Sequence, residues 1–256
     1  MTSEVKTYGI AHTDKRLVDF MVQSSIDLLK KSGVLLQEIK ALDPFTGDGV
    51  FLGSLLLHGV GYISAYEIRR EQYTKTSDIY GDYVDIHCVD AFKMRPQNFN
   101  LFIGNPPYGK CTKDTEIDKR IRESYGGGAV NQRSLYDGYV RAIRWASDNL
   151  KCGVIAYIVN NSFLDSRTFA NFRKRVELEF KSIHIVNLRG NHRTSGDVCK
   201  KEGGNVFANE CRTGIAIIFL EKNNNMNNAP TAYGTRQSAT AWRYLSCVGS
   251  EKGLKG

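Results

Sequence analysis

The sequence has no Cys-x-x-Cys pair, no long apolar run and no Gly-x-x-x-x-Gly-Lys-Ser/Thr loop, and each absence removes a class of function. Its six cysteines (Cys88, Cys111, Cys152, Cys199, Cys211, Cys247) are scattered, with no His-rich segment beside them. That argues against a structural zinc site, so no metal is expected. Unpaired thiols fit a reducing, cytoplasmic setting. No N-terminal basic-then-apolar stretch resembles a signal peptide, and no run approaches the ~18–20 apolar residues that span a bilayer. A membrane partner is not expected.

What is present is ordinary for a soluble globular protein: 256 residues, 41% hydrophobic and 24% charged. That length suffices for one large α/β domain or two small ones. The formal net charge of +8 is spread along the chain rather than held in one tail. It favours polyanionic partners, because each neutralised phosphate releases a condensed counterion.

Residues 14–32 read as an amphipathic helix, with Leu17, Phe20, Met21, Leu28 and Leu29 on one face. Short apolar runs then alternate with helical patterns. Strands are predicted at 39–43, 62–67, 84–89, 101–104, 154–159 and 183–188, and helices near 50–58, 69–79, 134–150 and 165–180. In the 134–150 helix, Leu135, Tyr139, Ile143, Ala146 and Leu150 form the stripe to be buried. This alternation implies right-handed crossovers, a mostly parallel twisted sheet, and ligands beyond the carboxyl ends of the strands. The apolar run 213–221 has no helix before it and should join antiparallel, beside the 183–188 strand. Two connections, 109–132 and 189–212, are long, basic and glycine-containing, and read as loops. The stretch 223–256 opens on an Asn-rich breaker and has little periodicity, so a poorly ordered tail is expected after a domain spanning 1–222.

Two segments carry chemistry. In Asp43-Pro44-Phe45-Thr46-Gly47-Asp48-Gly49, Gly47 and Gly49 let the backbone turn sharply and approach a ligand closely. Glu67 ends the next strand, where a carboxylate can accept from both hydroxyls of a ribose. Asp90 ends the third, in Val89-Asp90-Ala91-Phe92, where it can accept from an adenine amino group while Phe92 packs on the ring. Three acids at successive strand ends describe a nucleoside pocket. Asp43 and Asp48 would repel a pyrophosphate, so a neutral or cationic nucleoside such as S-adenosylmethionine fits better. The second segment, Leu101-Phe102-Ile103-Gly104-Asn105-Pro106-Pro107-Tyr108, runs an apolar strand into two prolines that supply no donors. The Asn105 side-chain oxygen and the Pro106 carbonyl could take both protons of a planar amine whose lone pair is delocalised. Pro107 stiffens the turn, and Tyr108 offers a flat face to stack on the ring. Direct in-line methyl transfer there needs orientation more than a strong base.

On these motifs the chain resembles the gamma-type N6-adenine DNA methyltransferases, in which the cofactor motif precedes Asn-Pro-Pro-Tyr. The methylase cores of large single-chain restriction-modification enzymes are especially similar. The likeness runs from about Tyr8 to Glu221 and implies a Rossmann-like S-adenosylmethionine-dependent fold. Tyr8-Gly9-Ile10-Ala11-His12-Thr13 resembles the family's N-terminal motif, in which Thr13 would contact the methionine carboxylate, although Asp14 stands where the family has proline. Glu202-Gly203-Gly204-Asn205-Val206-Phe207 is similar as well, and by that likeness Phe207 would pack against an extruded base. Lys110, Lys113, Arg189 and Arg193, in the two long loops, would hold the backbone of double-stranded DNA. The resemblance also implies a prokaryotic or phage cytoplasm. Its members carry a target-recognition domain after the final strand, and 223–256 looks like a shortened junction to one. A separate specificity subunit or a missing C-terminal domain would then read the sequence. Two other readings stay open: a truncated, non-catalytic fragment that binds cofactor or DNA, and a protein glutamine N5-methyltransferase, which also uses Asn-Pro-Pro-Tyr.

Overall fold

Alternating apolar runs and amphipathic stretches fold here into one eight-stranded sheet covered by helices. The computed structural model describes residues 13–109, 115–127, 132–189, 214–223 and 242–245, the last four by backbone alone. In chain order the principal elements are α1 (Lys15–Lys31), β1 (Lys40–Asp43), α2 (Val50–Leu57), β2 (Tyr62–Tyr66), α3 (Arg70–Tyr80) and β3 (Asp85–His87). There follow β4 (Leu101–Gly104), α4 (Glu116–Tyr125), α5 (Gly138–Asn149), β5 (Gly153–Asn160), α6 (Ala170–Glu179), β6 (Ser182–Arg189), β7 (Ile215–Lys222) and β8 (Trp242–Leu245).

The sheet order is β3-β2-β1-β4-β5-β7-β6-β8. The pairs from β3 through β5 are parallel. As expected, the late strand β7 is antiparallel to β6; it also lies antiparallel against β5, so it is inserted between the two. Burial explains the position. Ile215 through Leu220 are all buried, alternate residues entering the cores on the two faces, which suits an interior strand. Strand β8 falls within the stretch read as aperiodic and pairs parallel with β6.

The two sheet faces carry separate cores. One packs Val18, Met21 and Leu29 of α1 and Phe51, Leu52 and Leu55 of α2 against alternate strand residues. The other packs Ile117 and Ile121 of α4, Tyr139, Ile143 and Trp145 of α5, and Phe172 and Val176 of α6. Every member of the stripe predicted for the 134–150 helix is buried.

Three expectations need correction. The buried face of α1 is Val18, Met21, Val22, Ser25, Ile26 and Leu29, while Phe20 is 40% exposed. The true stripe is offset because Ser25 can be buried: its hydroxyl donates to the Met21 carbonyl at 2.7 Å. The 109–132 connection is not all loop, since it contains α4. There Thr115 and Asp118 form a reciprocal capping box, and Ile117, Ile121 and Tyr125 fall on one face. The helix predicted at 165–180 begins as a separate 3-10 turn, Arg167–Phe169, before α6.

Candidate active site at the carboxyl ends of the strands

Because β3, β2, β1 and β4 are parallel neighbours, the residues that follow them stand in a row. Asp90, Glu67, Asp43 and Asn105 therefore share one edge of the sheet, as the strand-end reading requires.

Asp43 is fully buried at the end of β1. Its Oδ1 accepts from the Phe45 amide at 3.1 Å, while Oδ2 is buried with no hydrogen-bond partner. Desolvation pushes its carboxyl pKa up to about 7, the Phe45 amide opposes the shift, and the Glu67 charge adds to it. A buried carboxylate oxygen without a donor costs free energy unless a ligand supplies one. Gly104 makes room for it, since a Cβ there would stand 2.7 Å from Asp43 Oδ1. On β5, Tyr157 OH is also buried without a partner, and burial together with Asp43 holds that phenol protonated.

The β1–α2 turn uses its two glycines differently. Gly49, at φ +74°, is required by packing, because a Cβ would lie 2.7 Å from the Tyr80 ring. Gly47, at φ +52°, would meet nothing nearer than the Phe45 carbonyl at 4.0 Å, so the space beside it is open. The turn is braced from behind: Thr46 Oγ1 donates to the Asp43 carbonyl, and Thr76 Oγ1 donates to the Gly47 carbonyl. Pro44 is buried beneath it.

Glu67 is 6% exposed and already engaged. Its Oε2 accepts from the Gly47 amide at 3.0 Å, and its Oε1 accepts from the Arg69 amide and guanidinium at 2.8 and 3.2 Å. A carboxylate has about four acceptor positions, so the expected pair of ribose hydroxyls would need the Arg69 side chain to move aside. Half-buried Asp90 caps a short turn by accepting from the Phe92 amide, and Ala91 is buried within that turn. The Phe92 ring stands 5.5 Å from that of Phe45, which is 6.2 Å from Tyr157, giving an aromatic wall beside the acids.

After β4 the chain enters Asn105-Pro106-Pro107-Tyr108. Asn105 Nδ2 donates to Thr13 Oγ1 at 3.3 Å, which leaves Asn105 Oδ1 buried and without a partner. Thr13, expected against a cofactor carboxylate, is here the acceptor that orients the Asn105 amide. Pro106 is buried, and Pro107 and Tyr108 are half-buried. Lys110, Lys113, Arg193 and Phe207 lie outside the described residues, and Arg189 is described by its backbone, paired with Ile215 past a bulge. Sequence reasoning missed Tyr157, Asp137 and Gly138. Asp137-Gly138 at a helix start was the one available signal, and it reads locally as a cap. Among the described residues no group of His, Cys, Asp or Glu could hold a metal ion, and no helix is long and apolar enough to cross a membrane.

The Eco57I restriction-modification methylase family matches residues 63–194, about half of the chain. Among solved structures, a nuclease-deletion mutant of the Type ISP restriction-modification enzyme LlaGI, in complex with a DNA substrate mimic, is 30% identical with a TM-score of 0.76 over 94% of this chain. The DrdV–DNA complex is 29% identical over 94%, with a TM-score of 0.75. This chain spans 24% and 28% of those two chains. A Listeria monocytogenes protein described as a class I S-adenosylmethionine-dependent methyltransferase shares the fold at 13% identity, with a TM-score of 0.59 over 90% of this chain and 64% of that one. No curated protein matches the sequence.

Proposed function

Since the chain belongs to the Eco57I restriction-modification methylase family, with S-adenosylmethionine as methyl donor, we propose that its strand-end site methylates the N6 amino group of an adenine extruded from double-stranded DNA. The observation that carries this reading is Asn105 Oδ1: buried, without a partner, and held by Thr13 on the other side of the amide.

The residues present fit the donor. Asp43 Oδ2 is a buried polar atom without a partner, Gly47 leaves open space, and Phe45 and Phe92 form an apolar wall next to Asp90. Asp43, Gly47, Gly49, Glu67, Asp90, Ala91 and Phe92 would hold it, with Pro44 and Thr13 shaping the ends of the pocket. When bound, S-adenosylmethionine supplies an electrophilic methyl group on a sulfonium. The chain's own work is then orientation. Asn105 Oδ1 and the Pro106 carbonyl accept from the two N–H groups of the amine, which returns lone-pair density to nitrogen. Tyr108 stacks on the ring. Lys110, Lys113, Arg189 and Arg193 contact phosphates, and Phe207 packs against the extruded base.

The test is transfer of labelled methyl to duplex DNA, followed by nucleoside analysis of the product. N6-methyladenine is expected, with Asn105→Ala losing transfer while binding the donor within about two-fold of the parent. Label on a release factor alone would favour glutamine as the acceptor, and donor binding with no transfer to either would favour a non-catalytic chain.

A further inference from the structure

The Asn105–Gly109 segment must be held still, yet its backbone has few donors of its own. Pro106 and Pro107 bring no N–H, and the segment lies in neither helix nor strand. What holds its far end comes from the start of α5. The Gly109 amide donates to Asp137 Oδ1 at 3.0 Å, and the Gly109 carbonyl accepts from the Gly138 amide at 3.1 Å. The same Asp137 oxygen accepts from the Gly138 amide at 3.0 Å, closing a clasp around one residue. Gly109 has φ +103°, a conformation side chains rarely adopt, and a Cβ there would meet nothing within 4 Å. It is glycine for its backbone angle and not for space, and the clasp grips both its amide and its carbonyl.

Gly138 presses on the motif directly. A Cβ at that position would stand 2.0 Å from the Pro107 carbonyl oxygen and 3.0 Å from its carbon, backbone atoms that cannot swing away. The first residue of α5 therefore lies flat against the Pro107 peptide. Behind it, α5 is buried from Gly138 to Ser147, and its Arg141 pairs with Asp118 of α4 in the core. The helix is a rigid post, and the clasp fastens the substrate-binding turn to it.

We propose that Asp137 and Gly138 are positioning residues for methyl transfer: their clasp on Gly109 and close fit against Pro107 set where Asn105 and Tyr108 present themselves to the amine. The inference rests on the methyl-transfer reading above. Neither residue needs to touch substrate or donor. Misplacement of about 1 Å at reacting groups can cost on the order of 100-fold in rate.

Asp137→Ala should lower kcat about 10- to 100-fold, with donor affinity and KM for DNA each within about three-fold. Asp137→Asn keeps a side-chain oxygen acceptor and should recover most of the loss. Amide exchange in a peptide covering residues 102–109 gives a readout independent of turnover: Asp137→Ala should speed exchange there and leave β5 and β7 protected. Parental kcat or unchanged 102–109 exchange in Asp137→Ala overturns the clasp. So does equal damage in Asp137→Asn and Asp137→Ala, or a parallel loss of donor binding. If the parent chain transfers no methyl to DNA, the function proposed above fails, and the exchange comparison alone still decides the clasp. Gly138→Ala is the harsher variant; if it folds, it should reproduce the kcat loss.

Discussion

At the scale of single residues, Asp43 links the site to pH. Its carboxyl pKa rises from 3.8 to about 7 on folding, chiefly by desolvation, so the native state holds this proton more tightly than the unfolded chain does. Its stabilising share is then fully present below about pH 4 and is lost as pH rises through 7. At about 1.4 kcal/mol per tenfold change in proton affinity, the loss is up to roughly 4 kcal/mol. Asp43→Asn should therefore be no more stable than the parent at pH 4 and more stable by a few kcal/mol at pH 8, measured by denaturant titration. A stability difference that stays flat across that range would mean Asp43 is charged in the free protein. A donor ammonium on Oδ2 would favour the carboxylate, so donor affinity should rise between pH 5.5 and 7.5 and binding should release a proton. Calorimetry in two buffers of different ionisation enthalpy reads that proton.

At the scale of elements, α4 is the helix least legible in the sequence, and its energetics make it testable. Arg141 and Asp118 are each 4% exposed and form an ion pair between α5 and α4. Removing one partner of such a pair leaves a buried charge uncompensated, at about 3–5 kcal/mol, whereas replacing both by apolar residues is often neutral. Asp118→Ala should lower the unfolding midpoint sharply, and Asp118→Leu with Arg141→Met should restore much of it. A small loss from Asp118→Ala would mean that Arg141 finds another acceptor. The helix escaped notice because Ile117, Ile121 and Tyr125 are its only large apolar residues and are surrounded by charge. The stripe of α1 is offset for a related reason: Phe20 is large and apolar but exposed, whereas the smaller Val18 and Val22 are buried. The row of acids and Asn105 was legible because parallel neighbouring strands turn sequence order into spatial order. The Asp137 clasp was not, because it joins residues 28 apart through one side-chain acceptor and one neighbouring backbone bond.

At the scale of the whole molecule, charge and site together bear on how DNA is engaged. The chain carries a net +8 and spans about a quarter of the restriction-modification enzymes it resembles in structure. A pocket for one extruded base can identify that base, while phosphate contacts fix position without reading sequence. The chain alone should therefore separate adenine from cytosine far better than it separates one flanking context from another. Methylation of a mixed-sequence plasmid, mapped by modification-sensitive sequencing, should give N6-methyladenine scattered over many contexts. A single sharp motif would instead place sequence readout within these 256 residues. The proposed backbone contacts make a parallel demand. Each neutralised phosphate contributes about 0.9 to the slope of log affinity against log salt. Lys110→Ala and Lys113→Ala should each lower that slope by about one, weaken all duplexes alike and leave donor affinity unchanged. If either variant alters the slope for one sequence only, that lysine reads bases, and the proposed division between a base-holding pocket and backbone-holding lysines gives way.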